Sequence, residues 1–426
     1  MTAPTQTAAP EAPAKVHRVI VAASIGNALE WFDILVYGFF AATISNQFFP
    51  TADETVSLLL TLGTFAVAYV VRPLGALVLG AYADRAGRKR ALMVSIRLMM
   101  VATLLIAVMP PYAKIGLVAP IAILIARLVQ GFSAGGEFGS ATAFLVEHLP
   151  EKRGFMASWQ FASQGFATLL ASAFGTVLTA TLSDAQLESW GWRIPFFFGL
   201  LIGPVGYYIR RYVGEAGEFV KTADQGRAPV KETFRTQKDR MLVAMGALAV
   251  STAISYFITY MPTFAVKELD LPASTGFAST LVTGIVLTGL TPVVGHLSDR
   301  FGRTRIMLIF ATLILALLYP SLAFLVAAPG FGVILGVMFL VGVLKAGYFA
   351  PLPAMMAELF PVTNRATGLA VSYNIAVMLF GGTTPLVIVW LVDVTGNKLA
   401  PTFYLMFLAV LSLSCVAFAR RRLDIH

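Results

Sequence analysis

Seven ionisable side chains interrupt otherwise apolar runs of this chain: Glu30, Asp33, Arg72, Arg97, Arg127, Glu137 and Lys345. Each costs roughly 2.5 to 3.5 kcal/mol at the middle of a bilayer, about 20 kcal/mol together, against a net folding stability of roughly 5 to 15 kcal/mol. They must therefore pair with one another or line a wet cavity. At about 1.5 Å of rise per residue, Glu30, Arg72 and Glu137 fall roughly 13 to 17 Å from the inner ends of their runs and form one charged layer. Asp33 and Arg127 lie further out and are expected to face each other. A carboxylate beside an arginine stays ionised, and withdrawal of the arginine by an anionic ligand lets it take up a proton. Asp33 and Arg127 thus form a candidate proton-coupling pair, with Glu30 and Glu137 as further proton carriers. The alternative for this pair is a static ion bridge between two helices.

Neutral and cationic groups at helical spacing complete a candidate binding set. Arg127, Gln130 and Glu137 project from one side of a single helix, in which Gly131, Gly135 and Gly139 recur every fourth residue to admit a neighbouring backbone. Lys345 lies roughly 20 Å deep, too far to reach the interface, and is read as a ligand for a carboxylate. Its alternative is a backbone carbonyl or a neighbouring helix. Arg97 either joins it or snorkels to the inner interface. Asn27, Gln160, Gln164, Tyr348, Tyr373 and Asn374 offer neutral donors suited to carboxylates or hydroxyls, each equally able to serve as an interhelical hydrogen bond.

The elements that must position these groups follow from composition and pattern. Of 426 residues, 58% are hydrophobic and 12% charged, too little polar surface for a soluble domain of this size. The net charge of +9 does not indicate nucleic acid, because the basic residues fall in short loops. One cysteine, Cys415, and four scattered histidines exclude an internal disulfide and offer no metal-ligand spacing. Neither a GxxxxGK[ST] phosphate loop nor a catalytic triad is present, so no enzyme activity and no cofactor is expected.

Runs of about 20 apolar residues predict twelve transmembrane helices, near 19–49, 57–81, 90–109, 118–148, 154–181, 192–213, 241–265, 274–297, 305–328, 330–359, 364–392 and 400–420. With both termini inside, the inner segments carry 23 lysines and arginines and the outer loops four, which sets the orientation. The stretch GAYADRAGRKR from Gly80 to Arg90 returns as GHLSDRFGRTR from Gly295 to Arg305. A second echo, EHLPEKRG from Glu147 and ELFPVTNRATG from Glu358, follows the fourth helix of each half. The chain is thus a duplicated, all-α membrane bundle: an inner tail 1–18, a six-helix half 19–213, a linker 214–240, a second half 241–422 and a short tail 423–426.

The duplicated loop resembles the signature loop of the major facilitator superfamily. Together with GNALEWFD (Gly26–Asp33), VRPLG (Val71–Gly75), RLVQGFSAGGE (Arg127–Glu137), SWQFASQ (Ser158–Gln164), WGWRIPF (Trp190–Phe196) and LFGGTTP (Leu379–Pro385), it is similar to the metabolite:proton symporters of that superfamily. Their members carry citrate and tricarballylate, α-ketoglutarate, shikimate, or proline and betaine, and the run of matches to the citrate carriers is the longest. The resemblance implies that Asp33 and Arg127 take part in proton coupling. It also implies a cytoplasmic gate at the duplicated loop (Gly80, Asp84, Arg85, Gly87, Arg88, Asp299, Arg300 and Arg303) and a substrate held between the halves. Arg97 and Lys345 depart from the citrate-like pattern, which has uncharged residues there.

The expected function is proton-coupled import of a small di- or tricarboxylate by alternating access, in the bacterial inner membrane with both termini cytoplasmic, and a monomer suffices. Its partners are the substrate, protons and lipid. A carrier of a monoanionic or zwitterionic metabolite such as an aromatic acid or betaine is the alternative, and a non-transporting membrane receptor is a further one.

Overall fold

The computed structural model describes residues 13–86, 88–135, 137–200, 203–204, 235–362 and 365–425. Among them every regular element is helical. In the amino-terminal half the longer ones are α1 (Pro13–Phe39), α2 (Ala41–Phe48), α3 (Glu54–Ala86), α4 (Arg88–Val108), α5 (Val118–Ala134), α6 (Glu137–His148) and α7 (Arg153–Thr181), followed by helix over 194–200. The carboxy-terminal half holds α8 (Lys238–Lys267), α9 (Ala273–Phe301), α10 (Arg303–Ala327), α11 (Phe331–Phe349), α12 (Leu352–Leu359), α13 (Arg365–Val377), α14 (Thr384–Thr395) and α15 (Ala400–Arg422). Eight helical stretches among the described residues are long and apolar enough to cross a bilayer, and α1 with α2, bent by 65°, makes a ninth. The apolar helices Met93–Val108 and Val118–Ala134 fill two more of the predicted places. The predicted span 192–213 and linker 214–240 lie in part outside the described residues.

Several predicted spans are continuous in hydropathy yet broken in structure. The run 330–359 parts into α11 and α12 at Pro351, whose nitrogen carries no hydrogen for the preceding turn. The run 364–392 contains a π-turn at Met378–Gly382, where Gly382 lets the Tyr69 ring approach: a Cβ there would stand 2.2 Å from Tyr Cδ2. Apolarity fixes the length of a span, whereas breaks follow local backbone chemistry.

The burial pattern is that of a protein solvated by lipid. The most apolar of the long helices, α10, is the least buried, whereas the helix α7, with lower hydropathy, lies largely inside. Polar side chains such as Gln160, Ser163, Gln164, Thr168 and Ser172 therefore line the interior of α7.

Two seams join the halves. Along the first, α7 and α9 run antiparallel in close contact: Gly154 faces Gly295 and Ser298, Gly165 faces Leu287, Gly284 faces Leu169, and Gly175 lies on the Phe277 ring. Small residues bring the backbones together, as bilayer packing requires where no hydrophobic drive acts between helices. Along the second, α5 and α6 meet α13: Gly139 abuts Ala366 and Ala370, and the Asn374 amide donates to the Gly135 carbonyl at 2.8 Å. The other glycines of that series face α3, with Gly131 against the Ala68 carbonyl and Gly135 against that of Arg72.

Candidate substrate and proton site

Asp33 and Arg127 are both buried, but they do not touch. The Thr103 hydroxyl donates to Asp33 Oδ2 at 2.7 Å, Gln130 Nε2 donates to Thr103 Oγ1 at 3.0 Å, and Arg127 Nη1 donates to Gln130 Oε1 at 2.8 Å. The expected direct pair is therefore a relay through two neutral side chains on α4 and α5. The reason is aromatic: the Arg127 guanidinium lies 4.2 Å from the Tyr37 ring centroid and 5.0 Å from that of Phe65, and ring faces supply part of the attraction a carboxylate would give. Asp33 Oδ1 and Arg127 Nε and Nη2 have no hydrogen-bond partner. Thr103 escaped the sequence reading because a threonine in the run MMVATLLIAV gives no signal of its own.

Of the expected charged layer, Glu30 and Arg72 meet in a buried ion pair at 2.8 Å, with Arg72 over the Tyr69 ring at 4.7 Å. Tyr69 in turn accepts from the Tyr256 hydroxyl across the halves at 2.6 Å. The Glu137 side chain lies outside the described residues.

On α1 and α7, Asn27 donates to the Gln160 carbonyl and to Ser163 Oγ, each at 2.7 Å, and accepts from Gln160 Nε2 at 3.2 Å. Gln160 Oε1 and Gln164 Nε2 keep unsatisfied capacity. From the other half, Lys345 is 4% exposed and places Nζ 4.8 Å from the Phe349 centroid. Among the described residues no carboxylate lies within ion-pair distance of it. Phe349 stacks on Phe161 of α7, and Tyr373 of α13 stacks on Phe138 of α6. With the Phe138–Phe161 contact, these rings form one aromatic layer across both seams.

Three residues of the expected binding set take the structural alternative that the sequence left open for them. Arg97 is exposed and shares its stripe of α4 with Val101, Leu104 and Val108, all outward-facing. It therefore points to lipid, and its long stem carries the charge to the interface. Tyr348 turns into its own half and donates to the Ala247 carbonyl at 2.7 Å. Asn374 spends its amide on Gly135 and Ala370, so it latches α13 to α5 rather than facing a ligand.

Comparison with known proteins agrees with this fold. Residues 19–215 match the sugar (and other) transporter family model and residues 273–424 match that of the Major Facilitator Superfamily. The chain is 38% identical to the citrate-proton symporter of Klebsiella pneumoniae over 99% of this chain and 95% of that one. It is 34% identical to the proline/betaine transporter of Escherichia coli K12 over 94% and 82%. The chain belongs to the major facilitator superfamily. Among solved structures, the partially occluded inward-open xylose transporter of E. coli superposes with a TM-score of 0.76 at 15% identity, over 96% of this chain and 98% of that one. At that identity the likeness establishes the superfamily fold and leaves the substrate open.

As a superfamily member, the chain has a second duplicated cluster at the end where its signature loops lie. Asp299 accepts from the backbone amides of Gly154 at 2.7 Å and Phe155 at 2.9 Å, so a carboxylate of α9 caps the amino terminus of α7 across the seam. Arg303 bridges Asp299 at 3.0 Å and Glu358 at 2.7 Å. The echoed segments then pair reciprocally: Glu358 with Arg153 at 3.8 Å, and Glu147 with Arg365 at 3.1 Å. The sequence echo was visible, but its exchange of partners between halves was not. Gly302, with φ of 89°, makes the tight turn from α9 to α10 that a β-carbon would oppose. Arg300 is exposed and stands outside this cluster. The surroundings of Gly80, Gly87 and the side chains of Asp84, Arg85 and Arg88 lie outside the described residues.

This end is therefore held together across the seam among the described residues, and Gly154 is a tight point of it. A Cβ there would lie 2.3 Å from Ser298 Oγ and 2.7 Å from the Gly295 carbonyl. Gly154→Val is expected to cost the closed arrangement about 1 to 3 kcal/mol by overpacking, a population shift of about 5- to 150-fold. Pulsed EPR between spin labels on Lys152 and Arg300 reads it as growth of the longer distance; an unchanged distribution removes Gly154 from the clamp.

Proposed function

We propose that this protein is a proton-coupled symporter that imports a small di- or tricarboxylate such as citrate. The observation that carries the reading is Lys345, a buried ammonium at the level where the halves meet, resting on an aromatic ring with no carboxylate beside it among the described residues. A substrate carboxylate supplies what this cation lacks, and Gln160 and Gln164 offer further polar capacity alongside. The names of the most similar relatives, citrate-proton symporters, point the same way.

Energetics require a co-transported cation, and the intramembrane carboxylates make the proton the natural one. Inward movement of a trianion against 100 mV costs about 7 kcal/mol at roughly 2.3 kcal/mol per charge, so accumulation needs accompanying cations. Asp33 is the carrier best placed to respond to substrate, because the Thr103–Gln130–Arg127 relay connects it to a guanidinium with two unused nitrogens. The halves rock about the central site, with the clamped end and the linker 214–240 on the cytoplasmic side of a bacterial inner membrane, as the basic residues require.

Proline/betaine transporters among the relatives make a zwitterion the second reading. A quaternary ammonium is held by open aromatic faces, and here Tyr37, Phe65 and Tyr69 already receive Arg127 and Arg72. The carboxylate reading is therefore favoured. It is tested by uptake of labelled citrate into liposomes under an inward proton gradient, with a protonophore control and betaine as competitor. Gradient-dependent uptake that betaine does not inhibit supports it; betaine-inhibited or absent citrate uptake overturns it. Lys345→Ala is expected to weaken citrate binding about 10- to 100-fold, the loss of one charge-assisted hydrogen bond, without loss of folded protein. Unchanged affinity by calorimetry removes Lys345 from the site.

A further inference from the structure

Asp33 faces a cavity that belongs to one half alone. It has a volume of about 50 Å³, and every residue lining it, from Gly26 to Gly203, precedes the linker. It is bounded by α1, α4, the α5 residues Ser133 and Ala134, and the helix over 194–200 with Gly203. Its walls run along α4 from Thr103 through Met100, Met99 and Ile96 to Ser95, about 12 Å at the rise of a helix. Ser95 lies two turns from the start of α4 at Arg88, so the cavity leads from Asp33 towards the end that carries the signature loops. The seam between the halves is clamped at that end, yet the cavity does not use the seam.

The carboxylate is oriented for this path. Oδ2 is held by Thr103, while Oδ1 is buried without a partner. Oδ1 lies on the Gly199 side: a Cβ on that glycine would stand 2.4 Å from it, so glycine gives this oxygen its room. A water needs roughly 10 to 15 Å³ of such space, so the cavity has room for a short file of them. Ser95 and Ser133 add hydroxyls at its far end. Thr103 on α4 and Gly199 bring no charge to Asp33; Glu30 on α1, already bridged to Arg72, is the other carboxylate on the wall, and Arg127 on α5 reaches Asp33 through Gln130 and Thr103.

We propose that the proton carried by Asp33 leaves towards the signature-loop end through this cavity inside the amino-terminal half, rather than through the path that opens between the halves for substrate. The O–H bond at Oδ1 breaks, a water in the cavity takes the proton and passes it along the file to bulk water, and the carboxylate stays with Thr103. Substrate and proton then exit by separate routes. The inference rests on the symport reading, and its test separates the two.

Gly203 lines the cavity, and a Cβ there would stand 2.9 Å from Met100 Sδ. Gly203→Leu should therefore narrow the path, and adding Met100→Ala should reopen it. The assays are citrate exchange at equal pH, which needs no net proton release, and proton-driven uptake in H₂O and D₂O. Expected are normal exchange, proton-driven uptake slowed about tenfold with a larger deuterium effect in Gly203→Leu, and recovery to within about twofold in the double variant. Wild-type uptake and isotope effect in Gly203→Leu overturn the inference, and so does equal slowing of exchange and driven uptake that Met100→Ala fails to rescue. A wild-type protein whose uptake ignores the proton gradient overturns the symport reading itself, and this inference with it.

Discussion

Asp33→Asn should abolish proton-driven accumulation while leaving citrate exchange intact. Asparagine matches the carboxylate in size, its carbonyl oxygen accepts from Thr103 as Oδ2 does, and its amide replaces an oxygen that has no partner in the native protein. Nothing in the packing is lost, and a buried charge is removed, so the variant should fold. What disappears is the titrating group. Each proton no longer carried forfeits about 2.3 kcal/mol per 100 mV, roughly 50-fold in the attainable concentration ratio. Steady-state accumulation of labelled citrate in liposomes at a fixed potential reads this ratio. A variant that still accumulates to the wild-type level eliminates Asp33 as the proton carrier.

The neighbouring carboxylate should behave differently. Glu30→Gln leaves the buried Arg72 guanidinium without its counter-ion, and breaking such a pair from one side costs about 3 to 5 kcal/mol. The Tyr69 face under Arg72 offsets part of this. The expected result is a large loss of stability to denaturant for Glu30→Gln, with much of it regained in Glu30→Gln/Arg72→Met, where no uncompensated charge remains. Proton dependence of whatever folded protein is left should persist. If Glu30→Gln folds at wild-type stability and loses coupling instead, the roles assigned to the two helix α1 carboxylates are reversed.

This contrast could not be drawn from the chain alone. Depth along a helix follows from counting residues, and it grouped Glu30 with Arg72. Partnership between helices depends on rotation and crossing, which counting does not fix. Asp33 and Arg127 lie close enough for a relay, yet two neutral side chains and two aromatic rings occupy the space between and around them. Arg97 shows the same limit: its depth is compatible with a binding role, and only the outward stripe with Val101, Leu104 and Val108 sends it to lipid.

The sequence by itself determined the membrane-spanning architecture, the duplication and the family, because run length, loop charge and repeated motifs are local properties that survive without coordinates. It also located the buried charges, since any ionisable group in an apolar run must have a reason to be there. Tertiary structure alone decided which charges pair, which stand unpartnered and where Asp33 opens. It also set the reciprocal pairing of Glu147 with Arg365 and Glu358 with Arg153. These depend on helices distant in sequence meeting within a few ångströms, a geometry set by glycine contacts along the two seams rather than by any single stretch of the chain.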